Sequence, residues 1–197
     1  MKLSVIIVSW NTKQLTLDAV SAVYSETKAF PVEVILVDNN SADGSADAVA
    51  EKFPEVVLVR NADNRGFGKA NNQALLIANG EYIMFLNSDT VVLDHALEKL
   101  VSYLESHPDI MMVGPKLLYG DGTFQHACRR GLPNPVNALL YLFGIHCLFP
   151  SSGFANAYKR GSDDPNVTGE VDALSGAAML FRRKVYETIG GFDEKFF

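Results

Sequence analysis

Glu81 to Thr90, EYIMFLNSDT, decides how the chain folds. Tyr82, Ile83, Met84, Phe85 and Leu86 follow one another without a polar break, the pattern of a strand covered on both faces in a parallel sheet. The run then ends on Asn87-Ser88-Asp89. In open α/β sheets ligands bind outside the carboxyl ends of the strands, so Asp89 is a candidate ligand- or metal-binding carboxylate. The same three residues also suit a plain turn that caps the next helix.

Working outward, Leu3 to Val8 predicts a buried strand, Ser9 to Thr12 a loop, and Leu15, Ala19, Ala22 and Val23 the apolar stripe of a helix with Asn11 or Thr12 as its N-cap. Val32 to Val37 repeats the pattern, followed by Asp38 to Ser41 and a helix from about Asp43 to Phe53. A third strand over Val56 to Val59 leads through Asn61 to Gly68 into a helix over Lys69 to Ala78, and so to the central strand. Beyond it come a helix over Asp94 to Glu105 and a strand over Ile110 to Val113. Strands alternating with helices of this length imply parallel βαβ units with right-handed crossovers. The loops at 9–12, 38–41, 64–69 and 87–89 then gather on one rim.

Past residue 114 the texture changes. Lys116 to Tyr119 and Thr123 to Cys128 flank Gly120-Asp121-Gly122, a hairpin signal. Residues 133–164 are rich in Pro, Gly, Asn and Ser, and include an apolar stretch from Ala138 to Phe149 that suits a short core helix or a surface for a lipid-linked partner. Met179 to Phe181 predicts a strand and Arg183 to Ile189 a helix.

The 197 residues, 48% of them hydrophobic, suffice for one well-filled core, so a single domain over 1–197 is expected. A net charge of -6 argues against a nucleic-acid partner, which needs a basic face, but allows a small anionic ligand held through a metal. The apolar start at Val5 to Val8 is too short for a signal peptide, and no apolar run approaches the roughly 20 residues of a membrane span. The expectation is a cytoplasmic protein, or one in peripheral contact with the inner face of the membrane. Cys128 and Cys147 suit a reducing compartment. A zinc site from His126, Cys128, His146 and Cys147 is disfavoured, because adjacent ligands such as His146-Cys147 chelate one ion poorly. Gly66-Phe67-Gly68 lacks the third glycine of a dinucleotide fingerprint, and neither a P-loop nor a nucleophile elbow occurs.

The series VIIVSWN, ILVDNNSADGS, NRGFGKANNQ, LNSDT and SGAAMLFRR, in that order, resembles the family 2 glycosyltransferases of the GT-A fold, particularly their bacterial rhamnosyltransferase-like branch. The resemblance implies an α/β nucleotide-diphospho-sugar transferase fold, mostly parallel, with helices on both faces. Residues 1–114 would bind the nucleotide sugar, and 115–197 would be an incomplete acceptor-side half. It further implies nucleotide contacts at Ser9, Trp10, Asn11, Asp38, Asn40, Asn64, Arg65, Gly66, Lys69, Asn87 and Ser88, with Asp38 reading the base. Asn87-Ser88-Asp89 stands where the family carries D-x-D, so Asp89 would hold Mg²⁺ or Mn²⁺ on the diphosphate, with Asn87 a weaker oxygen donor.

Transfer with inversion to a glycan or lipid-linked acceptor follows from the same resemblance. The family's base belongs to an E-D motif just after a segment matching Gly190 to Phe197, so it is expected beyond Phe197, and the chain as given is expected to bind donor but transfer weakly or not at all. Asp172 is a candidate acceptor contact or merely the start of a strand, and Ala173 stands where the family usually has Trp. A nucleotide-sugar-binding module without activity, and a sugar nucleotidyltransferase, are the alternatives; the second would want a Gly-rich basic loop after the first strand, which Ser9-Trp10-Asn11 is not.

Overall fold

The apolar runs form the middle of a six-stranded sheet in a computed structural model that describes residues 1–132, 135–144 and 164–195. The elements are β1 (Leu3–Ser9), α1 (Lys13–Glu26), β2 (Val32–Asp38), α2 (Ser45–Lys52), β3 (Val57–Arg60), α3 (Gly66–Leu75), β4 (Tyr82–Asn87), α4 (Ala96–Ser106), β5 (Met112–Val113), a 3₁₀ turn (His126–Cys128), β6 (Arg129–Arg130), α5 (Pro135–Leu142), β7 (Ala173–Leu174), β8 (Ala178–Arg182) and α6 (Arg183–Ile189). The His146-Cys147 pair, the apolar stretch past residue 144, and Phe196-Phe197 lie outside the described residues.

The sheet order is β3-β2-β1-β4-β8-β5, parallel from β3 to β4, with β8 antiparallel to both β4 and β5. The expected mostly parallel α/β architecture is therefore present. Ile6, Ile35 and Ile83 are wholly buried in one cluster with Ala70, Ala74 and Leu75 of α3 and with Phe181. Strand alternation turns Val5, Ile7, Val34 and Leu36 to the other face, the side on which α1 packs with α2 and α4. At the amino edge Gly80 comes so close to Ser4 that a Cβ would collide with the Ser4 backbone. Only glycine fits there.

Two arginines close the antiparallel side. Arg183 donates from Nε to the Gly80 carbonyl (2.7 Å) and from a terminal nitrogen to that of Ala78 (2.8 Å). Arg182 donates to the carbonyls of Ile110 and Leu104. Both guanidinium groups thus bind backbone carbonyls of α4's last turn and of the segments that follow α3 and α4. This basic pair is structural.

The chain packs as two compact units, residues 1–113 with 176–197, and residues 114–175. In the second, β6 pairs antiparallel with β7, and the turn at Gly120-Asp121-Gly122 closes with Tyr119 N on Thr123 O at 2.8 Å. The predicted hairpin is reduced to a single bridge, Leu118 with Phe124.

Several boundaries differ from the periodicity. Helix α3 starts at Gly66 rather than Lys69, because Asn64 Oδ1 accepts from Gly66 N (2.9 Å) and lets the turn begin early. Strand β5 covers only Met112–Val113 and is separated from β4 by β8. Thr12 precedes α1 but makes no side-chain cap. Asp43 of the next loop does so instead, accepting from Lys13 N at 2.8 Å through Oδ2, and from Ser45 N at 3.0 Å through Oδ1. One carboxylate thereby serves the first residues of two helices. Helix α4 begins only at Ala96, so Asn87-Ser88-Asp89 caps nothing.

Candidate active site

Sheet register brings the candidate loops together. Ser9 stands opposite Asp38 and Val8 opposite Asn87, so β1, β2 and β4 end at one level of the same edge. Below that level the strands are apolar and buried; above it the chain is polar. A cleft of about 450 Å³ opens there. Trp10, Thr12 and Leu15 line it from the β1–α1 side, Asn39 from the end of β2, Asn64, Gly66 and Phe67 from the start of α3, and Asn87, Ser88 and Asp89 from the end of β4.

Buried amides hold the α3 side. Asn39, 2% exposed, donates from Nδ2 to Asn64 Oδ1 and to the Gly66 carbonyl, both at 3.2 Å, and accepts from Asn61 Nδ2 at 2.9 Å. Asn61 and Gln73 exchange amide hydrogen bonds at 2.9 Å in both directions. Gly66 has φ +73°, a left-handed conformation that glycine adopts without strain. Phe67 then reaches from the cleft wall to Phe192, whose ring also packs, tilted, against Phe85.

Asp38 is 4% exposed, and its Oδ2 accepts from Ser41 N at 3.1 Å, while Oδ1 is buried with no hydrogen-bond partner. A carboxylate oxygen left so is costly unless something else supplies a donor. Asp89 is exposed on the cleft wall. Together with the Asn87 amide and the Ser88 hydroxyl it offers only oxygen donors of the hard kind that Mg²⁺ and Mn²⁺ accept. Among the described residues no three His, Cys, Asp or Glu side chains converge. A cation at Asp89 therefore fits only if the ligand's own oxygens and water complete its shell.

The sequence profile of glycosyl transferase family 2 matches residues 4–190. The chain belongs to glycosyl transferase family 2. It is 31% identical to the O-antigen biosynthesis protein RfbC of Myxococcus xanthus, over 99% of this chain and 15% of the relative. It is 26% identical to the N-acetylglucosaminyl-diphospho-decaprenol L-rhamnosyltransferase of Mycobacterium tuberculosis, over 85% of this chain and 57% of the relative. Among solved structures, TarS 1-349 of S. aureus in complex with UDP superposes with a TM-score of 0.65 at 21% identity, covering 99% of this chain and 51% of that one. The mannosyltransferase PcManGT of Pyrobaculum calidifontis, in complex with GDP-Man and Mn²⁺, gives 0.64 at 22% identity over 98% and 48%. The fold is GT-A, and the chain spans about half the length of these structures and of the mycobacterial relative.

Of the predicted site residues, the fold gathers Trp10, Asn64, Gly66, Asn87, Ser88 and Asp89 on the cleft. Asp38, Asn40, Arg65 and Lys69 stand on the adjoining loops and first helical turn of the same edge. Asn11 is spent between loops, its N on Ser41 Oγ (2.9 Å) and its Oδ1 on Ala42 N (2.7 Å). Ser9 is wholly buried, its hydroxyl shared with Thr12 and Thr16, so it supports the loop from below. Arg65 pairs with Asp63 at 3.2 Å on the surface. Asp172 lies in the second unit, exposed, with Oδ2 accepting from Leu132 N at 3.1 Å.

Sequence reasoning missed Thr12, Leu15, Asn39 and Phe67 on the cleft wall. Phe67 carried a usable signal, a large apolar side chain between two glycines. Asn39 carried none, because its role depends on partners 22 and 25 residues away. Among the described residues no helix is long and apolar enough to cross a membrane.

Proposed function

We propose that the cleft binds a nucleoside-diphosphate sugar with a divalent cation, Mg²⁺ or Mn²⁺, on Asp89, and that the enzyme transfers the sugar with inversion to a glycan or lipid-linked acceptor of the cell envelope. The observation that carries this reading is the pair of carboxylates at one sheet edge: Asp38, buried with an oxygen lacking a donor, and Asp89, exposed at the end of a buried strand.

Asp38 Oδ1 accepts a hydrogen bond from the nucleotide base, which supplies the donor that the protein withholds. Asn40, Trp10 and Asn11 border the same end of the site. Asn64, Gly66, Arg65 and Lys69 bring amide and cationic groups to the diphosphate at the start of α3, where helix polarity favours negative charge. When bound, the cation offsets the charge that grows on the leaving diphosphate. Asn87 and Ser88 border that end of the donor. Inversion requires a carboxylate to remove the proton of the acceptor hydroxyl that attacks opposite the leaving group. The names of the relatives, an O-antigen biosynthesis protein and an N-acetylglucosaminyl-diphospho-decaprenol L-rhamnosyltransferase, support an acceptor of this kind.

Calorimetric titration with UDP and GDP, each with Mn²⁺ or with chelator, tests the proposal. Binding with Mn²⁺ is expected to vanish or fall sharply with chelator. Ligand at a hundred times its Kd stabilises the fold by about 2.7 kcal/mol, a clear thermal shift. Equal binding with and without the metal would refute the role of Asp89.

A further inference from the structure

Thr12 stands where the β1–α1 loop meets the end of β4, and its hydroxyl reaches three others, those of Ser9 and Thr16 at 3.1 Å each and that of Ser88, the one contact in which the geometry makes Thr12 the donor. It donates to Ser88 Oγ at 3.0 Å across 76 positions of sequence. Thr16 gives its own proton to the Thr12 carbonyl at 2.8 Å. Ser9 Oγ lies 3.1 Å from Thr12 Oγ1 and 2.9 Å from Thr16 Oγ1, and both Ser9 and Thr16 are wholly buried.

A hydroxyl has one proton and two lone pairs. With Thr16 pointing at a carbonyl and Thr12 pointing at Ser88, the Ser9 proton is the one left for the buried end of the cluster. Ser88 Oγ accepts, and its own proton has no acceptor among the described residues. Ser88 also lines the cleft beside Asp89. A lone serine hydroxyl rotates freely between donating and accepting; while Thr12 donates to it, this one has its own proton left for a partner in the cleft.

We infer that Thr12 is a positioning residue that fixes Ser88 as a hydrogen-bond donor to an anionic oxygen of the ligand's diphosphate, next to the Asp89 carboxylate. The inference rests on the donor site proposed above. A carboxylate alone repels a diphosphate, and a donor locked beside it compensates with a charge-assisted bond. Hydrogen bonds of this kind also strengthen when the donor itself accepts from a neighbour, as Ser88 does from Thr12.

The test is titration with UDP and GDP in the presence of Mn²⁺, and with uridine and guanosine, on the wild type and on Thr12→Val, Thr12→Ser, Ser88→Ala and the Thr12→Val/Ser88→Ala double variant, with urea melts in parallel. Thr12→Val and Ser88→Ala are each expected to weaken diphosphate binding by about tenfold. The double variant should be no weaker than either single one beyond about twofold, since the two hydroxyls act as one unit. Thr12→Ser should restore affinity, and nucleoside binding should not change. Wild-type affinity in Thr12→Val, multiplying losses in the double variant, or equal losses on nucleoside and diphosphate would overturn the assignment. If Thr12→Val does not fold, Thr12→Ser and Ser88→Ala still decide it: the first must bind as wild type and the second must lose the diphosphate alone. A wild type that binds neither nucleoside diphosphate would instead overturn the donor site itself.

Discussion

The two units are built on different principles. In residues 1–113 with 176–197, strands of up to seven residues carry continuous apolar runs, and helices bury their stripes on them. In 114–175 the paired strands are two residues long, and Cys128 is buried there. There Leu132, Leu142, Phe143 and Val167 are all more than 60% exposed. The first unit can therefore hold side chains at fixed distances for chemistry, because close packing resists small displacements. Among the described residues of the second, turns and backbone bonds predominate, a construction that tolerates change.

Core substitution should separate the units most. Ile35→Ala removes a fully buried side chain from the middle of the sheet and is expected to cost about 2–5 kcal/mol. Val167→Ala, on an exposed side chain of the second unit, should stay within about 0.5 kcal/mol. Urea melts of both variants make the comparison. Similar losses would mean that the second unit has a core of its own.

The next effect concerns binding. Asp38→Asn should weaken nucleotide affinity by about 1.5–3 kcal/mol while leaving the ligand-free fold as stable as before, or more so, since it removes a buried carboxylate oxygen without a partner. Asp89→Asn should instead abolish the metal response while affinity for a nucleoside without phosphates stays intact. Titration and melting on the same samples check both. A destabilised Asp38→Asn with unchanged affinity would make the residue part of the scaffold.

Smaller still is the double cap. Asp43→Ala removes the acceptor for Lys13 N and Ser45 N together, and each lost cap costs about 1 kcal/mol. Burial of the resulting loss within the first unit predicts a lowered global urea midpoint, with Asp43→Asn intermediate. A variant as stable as wild type would show that water replaces the carboxylate at both helix starts.

How far these effects were foreseeable depends on the range of the interactions. The strands were legible because Val5 to Val8, Ile35 to Val37 and Tyr82 to Leu86 declare a two-sided burial in their own composition. The end of β4 was legible for the same reason, since the apolar run stops at a carboxylate. What sequence could not carry was contact across chain distance: Asp43 capping α1, β8 inserting between β4 and β5, Ser9 turning inward, and Thr12 reaching Ser88. Periodicity reports one segment at a time. The start of α3 was missed by three residues because Asn64 closes the first turn through its side chain, a local bond that propensity does not register.

The smallest effect lies at the opposite edge of the sheet from the cleft. Burial alone would raise the Glu33 carboxyl, but donors from the Ser4 hydroxyl, the Asn79 backbone and side chain, and the Gly80 backbone outweigh it and hold the group below its ordinary value. Ser4 Oγ is 2.5 Å and Asn79 N 2.6 Å from Glu33 Oε1. A carboxyl that binds its proton less readily folded than unfolded contributes stability that is full above the unfolded value and is lost as pH falls through the folded one. Asp121 in the second unit is also lowered, first by the Thr123 hydroxyl and then by the Thr123 backbone, yet it sits in an exposed turn that ties no strands together. The advantage of wild type over Glu33→Gln in urea midpoint should therefore shrink between about pH 6.5 and about pH 3, whereas Asp121→Asn should track wild type throughout. A constant gap for Glu33→Gln would mean that its oxygens serve as neutral acceptors and the charge contributes nothing. A pH-dependent gap for Asp121→Asn would mean that the second unit unfolds with the first, as one cooperative body.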